Sequence, residues 1–172
     1  MGLAPGLHGA NRTGRPFTGD FAGILLYETL YEYGLASRPQ SLTADDALAL
    51  PNARITNAVK CLPPANKPVP EEIRSCNSYL KNELEALPSV TVILALGRIA
   101  HEAVVLACGL PRSAFVFAHA REHVLDARRQ LIDSYHCSRY NTQTRRLTAP
   151  MFKAVVARAC ALAGLGRNGA HI

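Results

Sequence analysis

The stretch VTVILAL at residues 90–96 is a continuous apolar run that is rich in β-branched side chains. Such a run predicts a strand that is buried on both faces of a parallel sheet. Gly97 follows it and leads into a predicted helix over 98–108, and a second strand is predicted over 130–135. Strands that alternate with helices in this way indicate an α/β fold with helices on both faces of the sheet.

Further elements continue this alternation. An amphipathic helix is predicted to begin at Pro70, because apolar residues then recur at helical spacing. We also predict helices over 21–33 and 148–163, a short helix over 43–50 and a strand over 54–59. The sequence therefore predicts a three-layer α/β/α architecture with a central parallel sheet of about four strands.

Composition limits the class of protein. The chain has 172 residues, of which 48% are hydrophobic, so we expect one domain over residues 1–172 with a mobile tail over 164–172. No apolar run approaches the length of roughly 18 residues that a membrane span needs, and no signal-peptide pattern is visible, which favours a cytoplasmic protein. Five cysteines in such a chain favour metal binding or core packing over disulfides.

The charge balance favours a polyanionic partner. Lysine and arginine outnumber the acidic residues by 19 to 13, which gives a net charge of +6. DNA is one such partner, because each neutralised phosphate releases counterions. Charge alone leaves open the alternative of an enzyme that is merely basic.

The N-terminal segment over residues 2–20 contains many glycines together with Phe17 and the segment's one carboxylate, Asp20. Because glycine lets a ligand approach the main chain closely, the segment predicts the wall of a binding pocket. Two alternatives stay open from the residues alone. Asp20 is also a favourable N-cap for the helix predicted over 21–33, and Phe17 is also a plausible core anchor.

Two later segments carry further candidates. Asn57 lies at the end of one predicted strand, and His136 follows another. Ligands bind beyond the carboxyl ends of parallel strands in α/β sheets, so both side chains are candidates for the site. The alternatives are a satisfied buried amide for Asn57 and a structural role for His136.

Three segments of this sequence resemble, in the same order, the active-site motifs of the uracil-DNA glycosylase superfamily, and especially its type-5 branch. They are the N-terminal segment over 2–20, ITNAVKC at 55–61 and HCSRYN at 136–141. The resemblance covers roughly residues 2–160. It implies a DNA repair hydrolase that flips uracil, and other deaminated bases, out of double-stranded DNA and cleaves the N-glycosidic bond to leave an abasic site. It also implies a monomer.

The resemblance implies a role for each candidate residue. Asp20 would position the attacking water, His136 would donate to the base carbonyl, and Asn57 would bind the edge of the base. Phe17 would stack on the flipped base. Further substrate contacts are implied for Gly2, Ala4, Pro5, Gly6, Ser138 and Asn141. The loop expected to enter the duplex carries Arg139, Tyr140, Arg145, Arg146 and Leu147, with Tyr140 or Leu147 as its wedge.

Two positions depart from the family pattern. Cys137 and Arg139 stand where the family has prolines that stiffen the third motif. The segment over residues 117–120, Phe-Ala-His-Ala, stands where the family has Phe-x-His-Gly. A non-catalytic DNA-binding remnant of the family is therefore an open alternative, and a weaker one is an α/β enzyme that acts on small nucleosides.

The resemblance also implies a [4Fe–4S] cluster that is bound by four cysteines. Cys61 and Cys76 match two of the ligands and are the candidate metal residues. The other two ligands, and a central strand, lie upstream of the first motif in the family. This sequence begins at Met1, so we expect half of the ligand set and a missing first strand.

Overall fold

A mixed three-stranded sheet forms the centre of this computed structural model, in the order β1–β3–β2. Three stretches of the chain are described: residues 1–7, 9–64 and 68–166. The strands are β1 (Val92–Leu96), β2 (Glu122–Val124) and β3 (Gln130–Ser134). β1 and β3 are parallel, whereas β2 is antiparallel to β3.

Helices cover both faces of the sheet. Those in the described chain are α1 (Ala10–Thr13), α2 (Phe21–Glu32), α3 (Pro70–Ala86), α4 (Arg98–Ala107), α5 (Arg139–Gln143) and α6 (Ala149–Leu162). Alternate side chains of β1 point to opposite faces, as the pleat requires. Leu94 and Leu96 pack with α2 and α6, and Ile93 and Ala95 pack with α3 and α4. The predicted α/β class and its three layers are therefore confirmed.

The long elements begin and end close to their predicted limits. α2, α3, α4 and α6 and strands β1 and β3 all form where the apolar patterns placed them. No helix in the described part of the chain is both long and apolar enough to cross a membrane. Of the predicted mobile tail, residues 164–166 are described, and Leu165 packs against the core and donates its N–H to Cys160 O. Residues 167–172 lie outside the described residues.

The predicted short helix over 43–50 is wrong. The carboxylate of Asp46 accepts the backbone N–H groups of Leu42 and Leu48 and also pairs with Arg15. Aspartate that binds nearby backbone donors in this way competes with helical hydrogen bonds. Ala47 takes φ of 57°, and the segment is a loop.

The predicted central parallel sheet of about four strands differs in detail, because the sheet of the described residues has three strands and β2 is antiparallel to β3. β2 is short and was not predicted, because three residues are too few to reveal an alternating pattern in the sequence. It exists because a tight turn returns the chain to β3. Asp126 accepts the N–H groups of Arg128 and Arg129, and Leu125 donates to Arg129 O.

The segment predicted as a strand over 54–59 is extended but forms only one bridge, between Gly2 and Asn57. Gly2 N–H donates to Thr56 O at 2.8 Å, and Ala58 N–H donates to Gly2 O at 3.0 Å. On the opposite edge, Leu96 N–H donates to Met1 O at 2.9 Å. The first residues of the chain thus lie between β1 and residues 56–58, where the family resemblance places a central strand.

A buried polar cluster connects α4 to the sheet. His101 Nδ1 lies 2.8 Å from Asp133 Oδ1, and His101 Nε2 lies 2.8 Å from Phe115 O. Both partners can accept a hydrogen bond, so the arrangement favours the imidazolium form, in which the ring donates from both nitrogens. Burial alone would lower the pKa of His101, but the hydrogen bonds to Asp133 and Phe115 outweigh it and raise the pKa. His123 Nε2 reaches the other carboxylate oxygen at 3.2 Å.

We expect this pair to make stability fall with rising pH. Because the folded pKa of His101 is raised, its contribution is full below the unfolded value of about 6.5 and is lost as pH rises through the folded value. Urea unfolding of the wild type and of His101→Gln from about pH 6 to about pH 9 should show a shrinking difference in the free energy of unfolding. A difference that stays constant or grows with pH would contradict the charged pair.

Candidate active site

The ring of Phe17 lies where the three motif segments meet. A Cβ on Gly2 would lie 2.5 Å from Phe17 Cζ and 2.6 Å from Asn57 Oδ1, so only glycine fits between these side chains. The Phe17 ring also stacks on the His136 imidazole, with centroids 5.9 Å apart and 29° between the ring planes. The structure therefore brings together one residue or more from each predicted motif.

Phe17 takes a conformation that L-residues rarely adopt, with φ of 63°. Such strain in a bulky residue costs on the order of 1–3 kcal/mol and persists only where the surroundings impose it. Here Tyr27 Oη donates to Pro16 O at 2.7 Å, and Thr18 Oγ1 lies 2.6 Å from Ser41 Oγ. Phe17 O lies directly against Gly23, where any Cβ would collide with it. The loop thus fixes the ring.

Asn57 carries an unused acceptor. Its side-chain oxygen Oδ1 is buried and accepts no hydrogen bond from any described residue. A buried acceptor without a partner costs roughly 1–3 kcal/mol, so native structures keep few of them. The structure therefore does not support the alternative that Asn57 is a buried amide with all of its hydrogen bonds formed. The oxygen lies beside the Phe17 ring.

Asp20 occupies the N-cap position of α2, but its side chain makes no capping hydrogen bond. Its carboxylate instead lies against the backbone of two glycines of the first motif. A Cβ at Gly6 would lie 2.8 Å from Asp20 Oδ1, and a Cβ at Gly9 would collide with the carboxylate outright. Ala4 and Pro5 lie in the loop that precedes them. The glycines thus set the position of the predicted catalytic carboxylate.

His136 follows the carboxyl end of β3 and is fixed by its own loop. Asn141 Nδ2 donates to His136 O at 2.8 Å, and Ser138 caps α5 by accepting Asn141 N–H. The structure gives Asn141 and Ser138 roles in loop geometry, beside the substrate contacts that the resemblance implies. Burial lowers the pKa of His136 to about 4. The ring is therefore neutral near pH 7 and keeps one N–H donor.

The predicted DNA loop is only partly available to a ligand. Arg139, Arg145 and Arg146 are exposed, and Tyr140 is 71% exposed. Leu147 is 1% exposed and belongs to the core cluster between α2 and α6. The prediction of Leu147 as a wedge is therefore wrong, because an apolar side chain at this position fills the core instead. Tyr140 stays the candidate wedge.

The cysteines of this chain do not fit a four-cysteine cluster. Cys61 and Cys76 lie close enough to interact electrostatically, and Cys61 is exposed whereas Cys76 is buried. Cys137 and Cys160 are buried in the core that contains α6, and Cys108 ends α4. Among the described residues, no third histidine, cysteine or acidic residue joins the Cys61–Cys76 pair. The chain presents half of a [4Fe–4S] ligand set, so no chemical step is assigned to a cluster.

A second group has the composition of a metal site. His101, His123 and Asp133 bring one ligand atom each within 4.8 Å of one another. Hydrogen bonds already account for this arrangement, because His101 donates from both nitrogens and Asp133 accepts from both histidines and from Ala118 N–H. In its charged form the His101 ring has no lone pair for a metal. The cluster is a buried ion pair that holds the sheet to its loops.

Sequence reasoning missed the residues that act through the backbone. Gly9 leaves room for the Asp20 carboxylate. A Cβ built on Gly97 would lie 3.4 Å from His136 Cβ. Arg15, a basic residue of the first motif, pairs with Asp46 and donates to two backbone carbonyls. The glycines were visible in the sequence, whereas nothing in it identified which side chain each one accommodates.

Comparison with known proteins gives a consistent result. A family model described as the uracil DNA glycosylase superfamily matches residues 1–160. The type-5 uracil-DNA glycosylase of Thermus thermophilus is 54% identical over 165 residues, 96% of this chain and 75% of the relative. That of Pyrobaculum aerophilum is 43% identical over 164 residues, 95% and 71% of the two chains. The type-4 enzyme of Sulfurisphaera tokodaii is 29% identical over 161 residues, 90% and 66% of the two chains.

We expect His136 to titrate far below the ordinary histidine value of about 6.5, because burial penalises its cation. An NMR titration of the imidazole nitrogens should show a neutral ring throughout the physiological pH range, with a midpoint near 4. The resonance is assigned by its loss in His136→Gln. A midpoint close to the ordinary value would contradict the buried neutral ring.

Proposed function

The chain belongs to the uracil DNA glycosylase superfamily, and from this premise we propose that it hydrolyses the N-glycosidic bond of uracil in DNA at the site around Phe17. The activity places it among DNA repair hydrolases. The observation that carries the proposal is the buried, unpaired Oδ1 of Asn57 beside the Phe17 ring. A flipped base supplies both the flat face that the ring can stack on and the N–H that the oxygen lacks.

Base recognition follows from the Asn57 amide. Uracil presents one N–H between two carbonyl groups, and a side-chain amide offers an acceptor and a donor. The Asn57 oxygen would accept the uracil N–H. A site that leaves a buried polar atom unpaired discriminates strongly against ligands that cannot satisfy it. The proposal extends to other deaminated bases that present an N–H next to a carbonyl group.

Bond cleavage needs negative charge near the sugar and a donor near the base. The sugar becomes oxocarbenium-like in the transition state, and the base leaves as an anion. The Asp20 carboxylate would orient the attacking water and stabilise the cation. His136 would donate its N–H to the base carbonyl as negative charge develops there. A neutral imidazole suits this task, because it can stabilise the negative charge on the base through a hydrogen bond without transferring its proton.

The exposed loop supplies the DNA contacts. Arg139, Arg145 and Arg146 are exposed on the segment that follows His136, and the whole chain has a net charge of +6. These guanidinium groups would bind phosphates, and Tyr140 would fill the space that the flipped nucleotide leaves in the duplex. We therefore propose double-stranded DNA as the substrate.

The direct test is release of uracil from a labelled duplex that contains one uracil, under single-turnover conditions. We expect Asp20→Asn to lower the rate by about 100-fold or more, because the carboxylate acts on the transition state. Binding of the duplex should change little. Asp45→Asn removes the same charge from an exposed loop position and is the matched control, which should keep the wild-type rate.

Either of two results would overturn the proposal. The first is salt-dependent binding of DNA by the wild type with no base release, which is the behaviour of a non-catalytic remnant. The second is an Asp20→Asn rate equal to that of the wild type. A wild type that releases uracil from single strands but not from duplexes would overturn the proposed substrate.

A second prediction tests whether Gly9 determines the position of the Asp20 carboxylate. Gly9→Ala should lower the single-turnover rate by about 10- to 100-fold, because the new Cβ collides with Asp20 and displaces it. Gly14→Ala is the control. Gly14 has φ of 74° and no atom within 4 Å of a Cβ built on it, so this change strains the backbone without touching the site. A Gly9→Ala enzyme that is as active as Gly14→Ala would show that Gly9 does not determine the position of the Asp20 carboxylate.

A further inference from the structure

The segment Phe117–Ala120 departs from the family pattern, and the proposed mechanism leaves it without a task. It runs beside the end of β3, where the site residue His136 follows. We propose that His119 is a positioning residue that fixes the place of His136 by binding the main chain and the ring of Tyr135. This inference rests on the proposed function, since that function requires the His136 imidazole to lie at the base carbonyl.

His119 makes two contacts with Tyr135, the residue directly before His136. Tyr135 N–H donates to His119 Nδ1 at 3.2 Å. The two rings are also stacked, with centroids 5.0 Å apart and only 14° between their planes. A hydrogen bond and a stacked ring together restrict both the position and the rotation of the Tyr135 residue. The adjoining peptide of His136 is restricted with it.

The hydrogen bond defines the protonation state of His119. An imidazole nitrogen that accepts a hydrogen bond carries no proton, so the proton is on Nε2. Burial lowers the pKa of His119, which favours this neutral form. A side chain without an acceptor at the Nδ1 position would leave Tyr135 N–H unsatisfied. The role therefore depends on one atom and not merely on the size of the ring.

His119 itself is fixed to the centre of the fold. Ala120 N–H donates to Asp133 O at 2.8 Å, and Asp133 N–H donates to Arg121 O at 2.9 Å. Ala118 N–H reaches Asp133 Oδ2 at 3.3 Å. Asp133 is fully buried on β3. His119 thus lies between residues that are bonded to the sheet, and its ring transmits that rigidity to Tyr135.

Tyr135 also contacts the proposed DNA loop. The guanidinium carbon of Arg146 lies 4.7 Å from the centroid of the Tyr135 ring. The same aromatic side chain therefore contacts His119 and Arg146, and its backbone adjoins His136. By fixing this ring, His119 sets the catalytic imidazole and one cationic side chain of the loop relative to each other.

Two substitutions separate positioning from simple packing. Asparagine places an amide oxygen close to the position of imidazole Nδ1, so His119→Asn keeps the acceptor and loses the stacked ring. His119→Leu keeps apolar bulk and loses the acceptor. If the hydrogen bond to Tyr135 N–H is what matters, asparagine preserves function and leucine does not. If only packing matters, leucine is the better substitute.

The experiment measures single-turnover uracil release at saturating enzyme, the Kd for the duplex and the NMR signals of Tyr135 N–H and the His136 ring. We expect His119→Leu to lower the rate about 10-fold or more with an unchanged Kd, because small displacements of a catalytic group are costly. His119→Asn should stay within about threefold of the wild type. The His136 ring signals should shift in His119→Leu and return toward wild type in His119→Asn.

The inference is overturned if His119→Leu keeps both the wild-type rate and the wild-type His136 signals. It is also overturned if the two variants lose activity equally while their Tm values match the wild type. A wild type that releases no uracil defeats the proposed function, and the NMR comparison still decides whether His119 sets the position of His136. If His119→Leu does not fold, His119→Ala takes its place in the same comparison.

Discussion

The close approach of three segments at Gly2 is the constraint on which the site depends. Gly2 bonds through its N–H and C=O to residues 56 and 58, and this pairing places Asn57 next to it. The absence of a Cβ leaves room for the Phe17 ring and the Asn57 oxygen at the same point. Because Met1 is bonded to β1, the same peptide also ties this point to the sheet. Gly2 therefore connects the central sheet to the site around Phe17.

The site keeps several features that oppose folding. Phe17 has a strained backbone, Asn57 has an unpaired buried oxygen, and the half-buried His136 lies where its cation is disfavoured. Each costs on the order of a few kcal/mol or less, which is a large part of a typical net stability of roughly 5–15 kcal/mol. The apolar layers on both faces of the sheet and the His101–Asp133 pair offset these losses. Several unfavourable features that occur close together are typical of a functional site.

The sequence specified the layers and the motifs but not the details that depend on single contacts. The apolar run of β1 and the helical spacing after Pro70 were sufficient, since burial of a face determines both elements. The loop around Asp46 and strand β2 could not be predicted, because side-chain hydrogen bonds to the backbone create them. Leu147 looked like a wedge from its motif, and only the packing of α6 against α2 shows that it is core.

The segment that carries Asn57 is joined to α3 by hydrogen bonds and a salt bridge. Lys60 N–H donates to Cys76 Sγ at 3.4 Å, and Lys60 Nζ donates to Glu83 at 3.0 Å. Thr56 Oγ1 donates to the same Glu83 carboxylate at 2.9 Å, and salt bridges lower the pKa of that carboxyl against its burial. These bonds hold both ends of the segment, with Asn57 between them. Because these bonds join both flanks of Asn57 to α3, they position the amide that the proposed site uses to bind the base.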